Sequence, residues 1–126
     1  MAPIRFESLA RWKYRLTADI ELQCSVLGIA CRTEYVSLWD DGRLILRKGY
    51  AWDGPSGPTI DSADSLRASA GHDALYQLIS IGVIPADRRI LADRDLRRWC
   101  IEDGMPSLRA DAWYHAVRCF GGLHTN

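Results

Sequence analysis

The sequence predicts a single α+β domain over residues 1–126, and three observations support that class. Apolar and polar residues alternate through residues 1–50, which is typical of half-buried strands. Residues 51–64 are rich in glycine and proline, which indicates an ordered, rigid loop. Residues 65–122 have helical periodicity between start and stop signals. We therefore expect a small antiparallel sheet built from hairpins, then the loop, then a three-helix unit.

The strand-rich part contains one clear hairpin signal. The alternating runs are "YRLTADIELQC", "TEYVSLW" and "RLILRKGY". The last two flank "DDG", residues 40–42, which is a tight-turn sequence. It predicts a hairpin between Tyr35–Trp39 and Arg43–Arg47.

The helical part is divided by proline and glycine, which favour helix starts and helix ends respectively. Three helices are expected: from an N-cap at Asp64 or Ser65 to Gly82, from Pro85 to Gly104, and from Pro106 to Gly121. In the loop before them, Trp52 is expected either to fill the gap between sheet and helices or to stack on a ligand.

Composition excludes several classes of function. Sixteen basic and sixteen acidic residues leave no net charge, so nucleic acid is not expected as the main partner. Neither a secretory leader nor a transmembrane segment is expected, because the apolar runs are too short for either. The four cysteines lack metal-site spacing and are expected to be reduced, although a Cys24–Cys31 disulfide stays possible.

The stretch "GHDALYQ", residues 71–77, is the main candidate for chemistry. His72 lies on the apolar stripe of the first helix, and Gly71 beside it allows a neighbouring helix to approach. Asp93 lies on the apolar face of the second helix, where an unpaired carboxylate is costly. We therefore expect a contact between His72 and Asp93 across two antiparallel helices, with Tyr76 as a third member.

Spacing alone leaves two interpretations of these residues open. A base held by a carboxylate is the arrangement of many hydrolytic sites. A buried His–Asp–Tyr network also occurs purely to hold two helices in register. Other sites lack their motifs, since the sequence has no GxSxG, P-loop or dinucleotide fingerprint.

Residues 48–122 resemble a phage-associated family known as domain of unknown function 1353. The resemblance is carried by the loop "GYAWDGPSGPTID", the "HDALY" helix, "ADRDLRRW" and "PSLRADAWYHAVRCFGG". It implies a phage or prophage origin and no established activity. It also implies synthesis in the host cytoplasm and possible association with the virion.

A second resemblance concerns the site itself. "HDALY" followed by an aspartate on the next helix is similar to the site of prokaryotic secreted phospholipase A2, in which a "DG-x-S" loop precedes the histidine. This similarity implies His72 as the base that activates a water, with Asp93 and Tyr76 orienting it. It also implies a calcium ion held by Asp73, Asp53 and the loop at residues 52–57.

Two functions from different classes follow. The first is a metal-assisted hydrolase acting on a lipid or cell-envelope ester. The second is a non-catalytic virion component, such as a tail or tail-tip protein, that binds other phage structural proteins. In the second case the polar residues around His72 are structural.

Overall fold

The chain folds as the α+β class predicted, with strands in the N-terminal half and helices in the C-terminal half. The structure, a computed structural model, describes residues 4, 6–8, 14–52 and 63–121. The predicted loop therefore lies largely outside the described residues, at 53–62. Within the described ranges, every helix is too short or too polar to cross a membrane.

The strands form two small antiparallel sheets. The three-stranded sheet has the order β1-β2-β7 and is built from β1 (Phe6–Ser8), β2 (Tyr14–Leu16) and β7 (Ala51–Trp52). The four-stranded sheet has the order β3-β6-β5-β4 and is built from β3 (Ile20–Gln23), β4 (Cys31–Arg32), β5 (Val36–Leu38) and β6 (Arg43–Leu46). The run "YRLTADIELQC" thus supplies strands to both sheets, because the chain bends at residues 17–18.

The predicted hairpin is confirmed. β5 and β6 pair antiparallel with Val36 opposite Leu46 and Leu38 opposite Leu44. At the turn, Gly42 has a φ of +87°, a conformation that favours glycine over other residues.

The three predicted helices are present, with shifted starts. They are α1 (Ala63–Ser80), α2 (Arg89–Glu102) and α3 (Ser107–Phe120). The predicted N-cap at Asp64 or Ser65 is wrong, because α1 begins at Ala63. Pro85 is the N-cap of a short 3-10 turn, Ala86–Arg88, and α2 itself begins after that turn.

The glycines after the helices act in two ways. Gly82 and Gly104 have φ values of +82° and +103°, so each reverses the chain in the left-handed conformation that ends a helix. Gly121 keeps a helical φ of −61° at the end of α3. Its role is therefore not conformational.

Neighbouring helices run antiparallel. Arg67, early in α1, pairs with Glu102 and Asp103 at the end of α2, whereas His72, further along α1, contacts Asp93. Arg118, late in α3, also reaches Asp93. α1 is the central helix, since it is buried on nearly all sides between residues 65 and 79.

Two tryptophans join helices and sheets. Trp52 is buried, and its indole donates a hydrogen bond to Ser69 of α1 at 2.9 Å, so it fills the gap between sheet and helix. Trp99 of α2 donates to the carbonyl of Gln23 at 3.2 Å and packs against Gly71. The four cysteines are free thiols, and Cys24 and Cys31 are not joined.

Candidate functional site around Asp93

The predicted contact between His72 and Asp93 is present. His72 Nε2 lies 2.8 Å from Asp93 Oδ1, with 8% of the histidine side chain and none of the aspartate side chain exposed. α1 presents His72 on the same stripe as Gly71 and Leu75, all of them buried. The close approach of α1 and α2 at Gly71 brings the two side chains within hydrogen-bond distance.

Tyr76 completes the predicted trio. Its hydroxyl donates to Asp93 Oδ1 at 2.5 Å, so this oxygen accepts from both α1 side chains. The rings of His72 and Tyr76, one helical turn apart, have centroids 4.1 Å apart. The two aromatic side chains therefore restrict each other as well as the carboxylate.

Two arginines bind the other oxygen of the same carboxylate. Arg118 of α3 donates to Asp93 Oδ2 at 2.8 Å, and Arg89 of α2 donates to it at 3.3 Å. Arg89 also donates to the Tyr76 hydroxyl and to the carbonyl of Val117, both at 3.2 Å. We call His72, Tyr76, Arg89, Asp93 and Arg118 the Asp93 cluster; it joins all three helices.

The Asp93 cluster keeps its carboxylate ionised. Burial acts to raise the pKa of Asp93, but the hydrogen bonds from His72, Tyr76 and Arg118 outweigh burial and hold that pKa below its ordinary value. Burial, followed by the hydrogen bond to Asp93, raises the pKa of Tyr76 well above its ordinary value, so its hydroxyl stays protonated.

This ionisation fixes the tautomer of His72. An ionised carboxylate can only accept hydrogen bonds, so the hydrogen in the contact belongs to His72 Nε2. A neutral His72 then carries its lone pair on Nδ1. Chemically, the arrangement is an oriented base whose second nitrogen is left to accept a proton.

Gly121 makes room for this arrangement. A Cβ atom at Gly121 would overlap the Tyr76 hydroxyl and would lie 2.9 Å from Tyr76 Cε2. Real Cβ atoms essentially never approach other atoms that closely. The end of α3 therefore contributes both Arg118 and a space for the tyrosine.

The implied calcium ligands are only partly described. Asp53 and the loop at residues 53–57 lie outside the described residues. Asp73 is half-buried and follows His72 directly on α1. Within the described residues, no group of three or more His, Cys, Asp or Glu side chains could hold a metal ion.

Tyr50 is a residue near this site that the sequence did not indicate. Burial raises the pKa of Tyr50 well above its ordinary value, and the neighbouring negative charge of Asp73 adds to that effect. The Tyr50 hydroxyl is buried, and it has no hydrogen-bond partner among the described residues. Buried hydroxyls usually have a partner, so this atom is notable.

Neither arginine of the Asp93 cluster was predicted from the sequence. Arg89 precedes Asp93 by four residues on one helix, which is a recognisable ion-pair spacing that could have indicated it. Arg118 had no such signal, because its contact with Asp93 spans 25 residues.

No protein-family model, curated protein or solved structure matches the chain in the three comparisons made.

Proposed function

We propose that the chain is a phage or prophage hydrolase in which His72 activates a water for attack on a lipid or cell-envelope ester. The observation that carries this proposal is the 2.8 Å contact of His72 Nε2 with the ionised Asp93. This contact leaves His72 Nδ1 to take the proton of the attacking water. The phage origin is supported by the family resemblance of residues 48–122.

Calcium is the proposed cofactor. Asp73 follows His72 on α1, and an oxygen-ligated calcium ion near Asp73 would polarise the ester carbonyl under attack. Asp53 and the carbonyls of the loop at residues 52–57 are the other proposed ligands. The sequence resemblance to phospholipase A2 supports these roles.

Hydrolysis of phosphatidylglycerol vesicles, measured as fatty-acid release with calcium and with chelator, tests this proposal. We expect calcium-dependent release, reduced about 100-fold or more in His72→Gln, as for the loss of a general base. Glutamine can still donate to Asp93, so the fold should persist. His115→Gln, an exposed histidine of α3, is the matched control and should retain full activity.

Two results would contradict the proposal. One is equal release by the parent chain and His72→Gln. The other is the absence of any release by a folded parent chain that also melts identically with calcium and with chelator. Asp73→Asn should abolish any calcium-dependent rise in melting temperature.

A non-catalytic virion component is the second candidate, and the two arginines favour it. Arg89 and Arg118 donate to the buried carboxylate of Asp93, which already accepts from two side chains of α1, so one anion ties the three helices together. A network of this kind holds helices in register without any reaction. This candidate would be supported if the parent chain releases no fatty acid and the folded His72→Gln chain retains binding to phage structural proteins.

A further inference from the structure

The outer face of the four-stranded sheet carries long side chains around one small one. Strand pairing places Ser37 between Ile45 of β6 and Arg32 of β4. Trp39 lies two residues after Ser37 and lines the same hollow. A serine surrounded by larger side chains leaves a hollow.

This hollow is a cavity of about 590 Å³. Its lining includes Arg32, Ser37, Trp39, Ile45 and Arg47. The volume lies within the range of about 300–1,000 Å³ that is usual for small-molecule sites. The cavity is thus large enough for a ligand with one or two rings.

The cavity lies on the side of the sheet that faces away from the helices. On the inner side, Leu22 of β3 reaches Gly71 of α1, and its strand partner Leu44 is fully buried. Ile45 and Ser37 alternate with these inner residues and therefore point outward. The cavity is consequently separate from the Asp93 cluster.

One arginine of the cavity is held in place. Arg47 donates from Nη1 to Ser37 Oγ at 2.6 Å and from Nη2 to the carbonyl of Thr33 at 2.8 Å. Both acceptors are uncharged, so the positive charge of Arg47 is not neutralised by them. A fixed guanidinium loses little freedom when it binds an anion, which favours affinity.

A second arginine adds charge at the same opening. Arg32 is exposed, and the structure gives it no ion pair with any described residue. Among the described residues, the one carboxylate in the lining is that of Asp19, which accepts a hydrogen bond from the backbone of Lys48 at 2.7 Å. Two arginines against one aspartate leave the cavity with a net charge of +1, which complements an anion.

Apolar contact surface accompanies the charge. Trp39 is 36% exposed, and the Arg43 guanidinium lies 4.5 Å from the centre of its ring, which restrains the indole. Ile45 is half-buried beside it. Such surfaces favour a flat apolar group next to the anionic one.

We propose that this cavity binds a small organic carboxylate, with the carboxylate at Arg32 and Arg47 and an apolar ring against Trp39 and Ile45. Arginine favours carboxylates because its planar fork can donate two parallel hydrogen bonds. The site is independent of hydrolysis at His72.

Titration of the ¹⁵N-labelled chain with 2-naphthoate tests the site. We expect saturable shifts of the Ser37 and Ile45 amide signals and of the Trp39 indole signal. 2-Naphthamide has the same shape without the charge, and it should bind about tenfold more weakly, as for the loss of a charge-assisted hydrogen bond.

The variants Arg32→Gln and Arg94→Gln complete the experiment. Arg32→Gln should lower the affinity for 2-naphthoate to about that for 2-naphthamide. Arg94→Gln removes the same charge from an exposed position of α2 and should leave binding unchanged. Equal binding of both compounds, shifts that map to another surface, or no saturable shift would each overturn the proposal.

Discussion

Two fully buried aspartates on α2 illustrate how individual carboxylates organise this protein. Asp93 faces α1 and α3, whereas Asp95 faces the four-stranded sheet. Asp95 accepts hydrogen bonds from the backbone and the hydroxyl of Ser25, both at 2.7 Å, and from Arg98 at 3.0 Å. Each carboxylate is stabilised because several donors replace the water that it lost.

Asp93→Asn should therefore destabilise the fold strongly. The NH2 group of asparagine would face the donor groups that now bind the carboxylate. Arg89 and Arg118 would also lose the anion that they share. We expect a loss of about 3–5 kcal/mol in the free energy of unfolding, measured with urea.

Asp111→Asn is the matched control for Asp93→Asn. It removes a carboxylate from an ion pair with Arg97 in which both side chains are more than 40% exposed. It should cost less than about 1 kcal/mol, and equal losses in the two variants would contradict this account.

The pKa of Asp93 predicts a loss of stability in acid. Because folding lowers this pKa from 3.8, the folded state binds a proton less readily than the unfolded state. The stabilisation is therefore complete above about pH 5 and declines as the pH falls below about 4, toward the folded-state pKa. The stability difference between the parent chain and Asp93→Asn should shrink over that range. A difference that is constant down to acid unfolding would argue against an ionised Asp93.

Tyrosine-to-phenylalanine changes separate a bonded from an unbonded buried hydroxyl. Tyr76→Phe loses the hydrogen bond to Asp93 and should cost about 2 kcal/mol, as for a hydrogen bond to a charged group. Tyr50→Phe removes a hydroxyl without a partner among the described residues, so the melting temperature should be unchanged or slightly higher. A clear loss of stability in Tyr50→Phe would indicate that its hydroxyl is bonded in the native state.

At the scale of elements, the side chains of α1 determine how closely α2 and the strands can pack against it. It contacts α2 along its length and the sheets on its other sides, so small side chains are needed where neighbours approach. A Cβ at Gly71 would lie 2.7 Å from Trp99 Cζ3 and 3.2 Å from Leu22 Cδ2. Glycine at this helical position is thus required by packing with α2 and β3 rather than by backbone conformation.

Gly71→Ala should destabilise the protein although alanine favours helices. Alanine gains about 1 kcal/mol in helix propensity, but overpacking against Trp99 costs about 1–3 kcal/mol. The added methyl group would push α2 away from α1. Because His72 follows directly, its contact with Asp93 should weaken as well. Gln77→Ala, at an exposed position of α1, should change the free energy of unfolding by no more than about 0.5 kcal/mol. Greater stability in Gly71→Ala would contradict the packing account.

At the scale of the whole molecule, hydrogen bonds connect the helices to both sheets. Trp52 links the three-stranded sheet to α1. Gln23, the last residue of β3, accepts from Trp99 of α2, and Ser25, two residues later, donates to Asp95 of the same helix. These links are buried or partly buried, so neither the sheets nor the helices lose their partners without exposing polar groups.

We therefore expect the chain to unfold in one cooperative step, as predicted for a single domain. Far-UV circular dichroism follows the helices, and tryptophan fluorescence follows the five tryptophans of the chain, of which Trp52 and Trp99 lie at the junctions. The two signals should have the same urea midpoint. Separate midpoints would show that the strand-rich and helical parts are stable independently of each other.

The sequence by itself determined the α+β class, the β5–β6 hairpin, the three helices and the contact of His72 and Tyr76 with Asp93. These features depend on local periodicity, turn residues and the cost of burying a carboxylate. Each of these can be recognised in a short segment of the sequence. Helix starts were less predictable because capping depends on backbone geometry at single residues, as at Ala63 and Pro85.

Only the tertiary structure decided which distant residues meet. The contacts of Arg118 with Asp93, Ser25 with Asp95 and Gly121 with Tyr76 span 25 to 70 residues, so no local pattern encodes them. The division of the strands between two sheets and the cavity over Ser37 also depend on packing of the whole chain. The physical reason is that periodicity fixes which face of an element is buried, whereas the partner on that face is set by how all elements fit together.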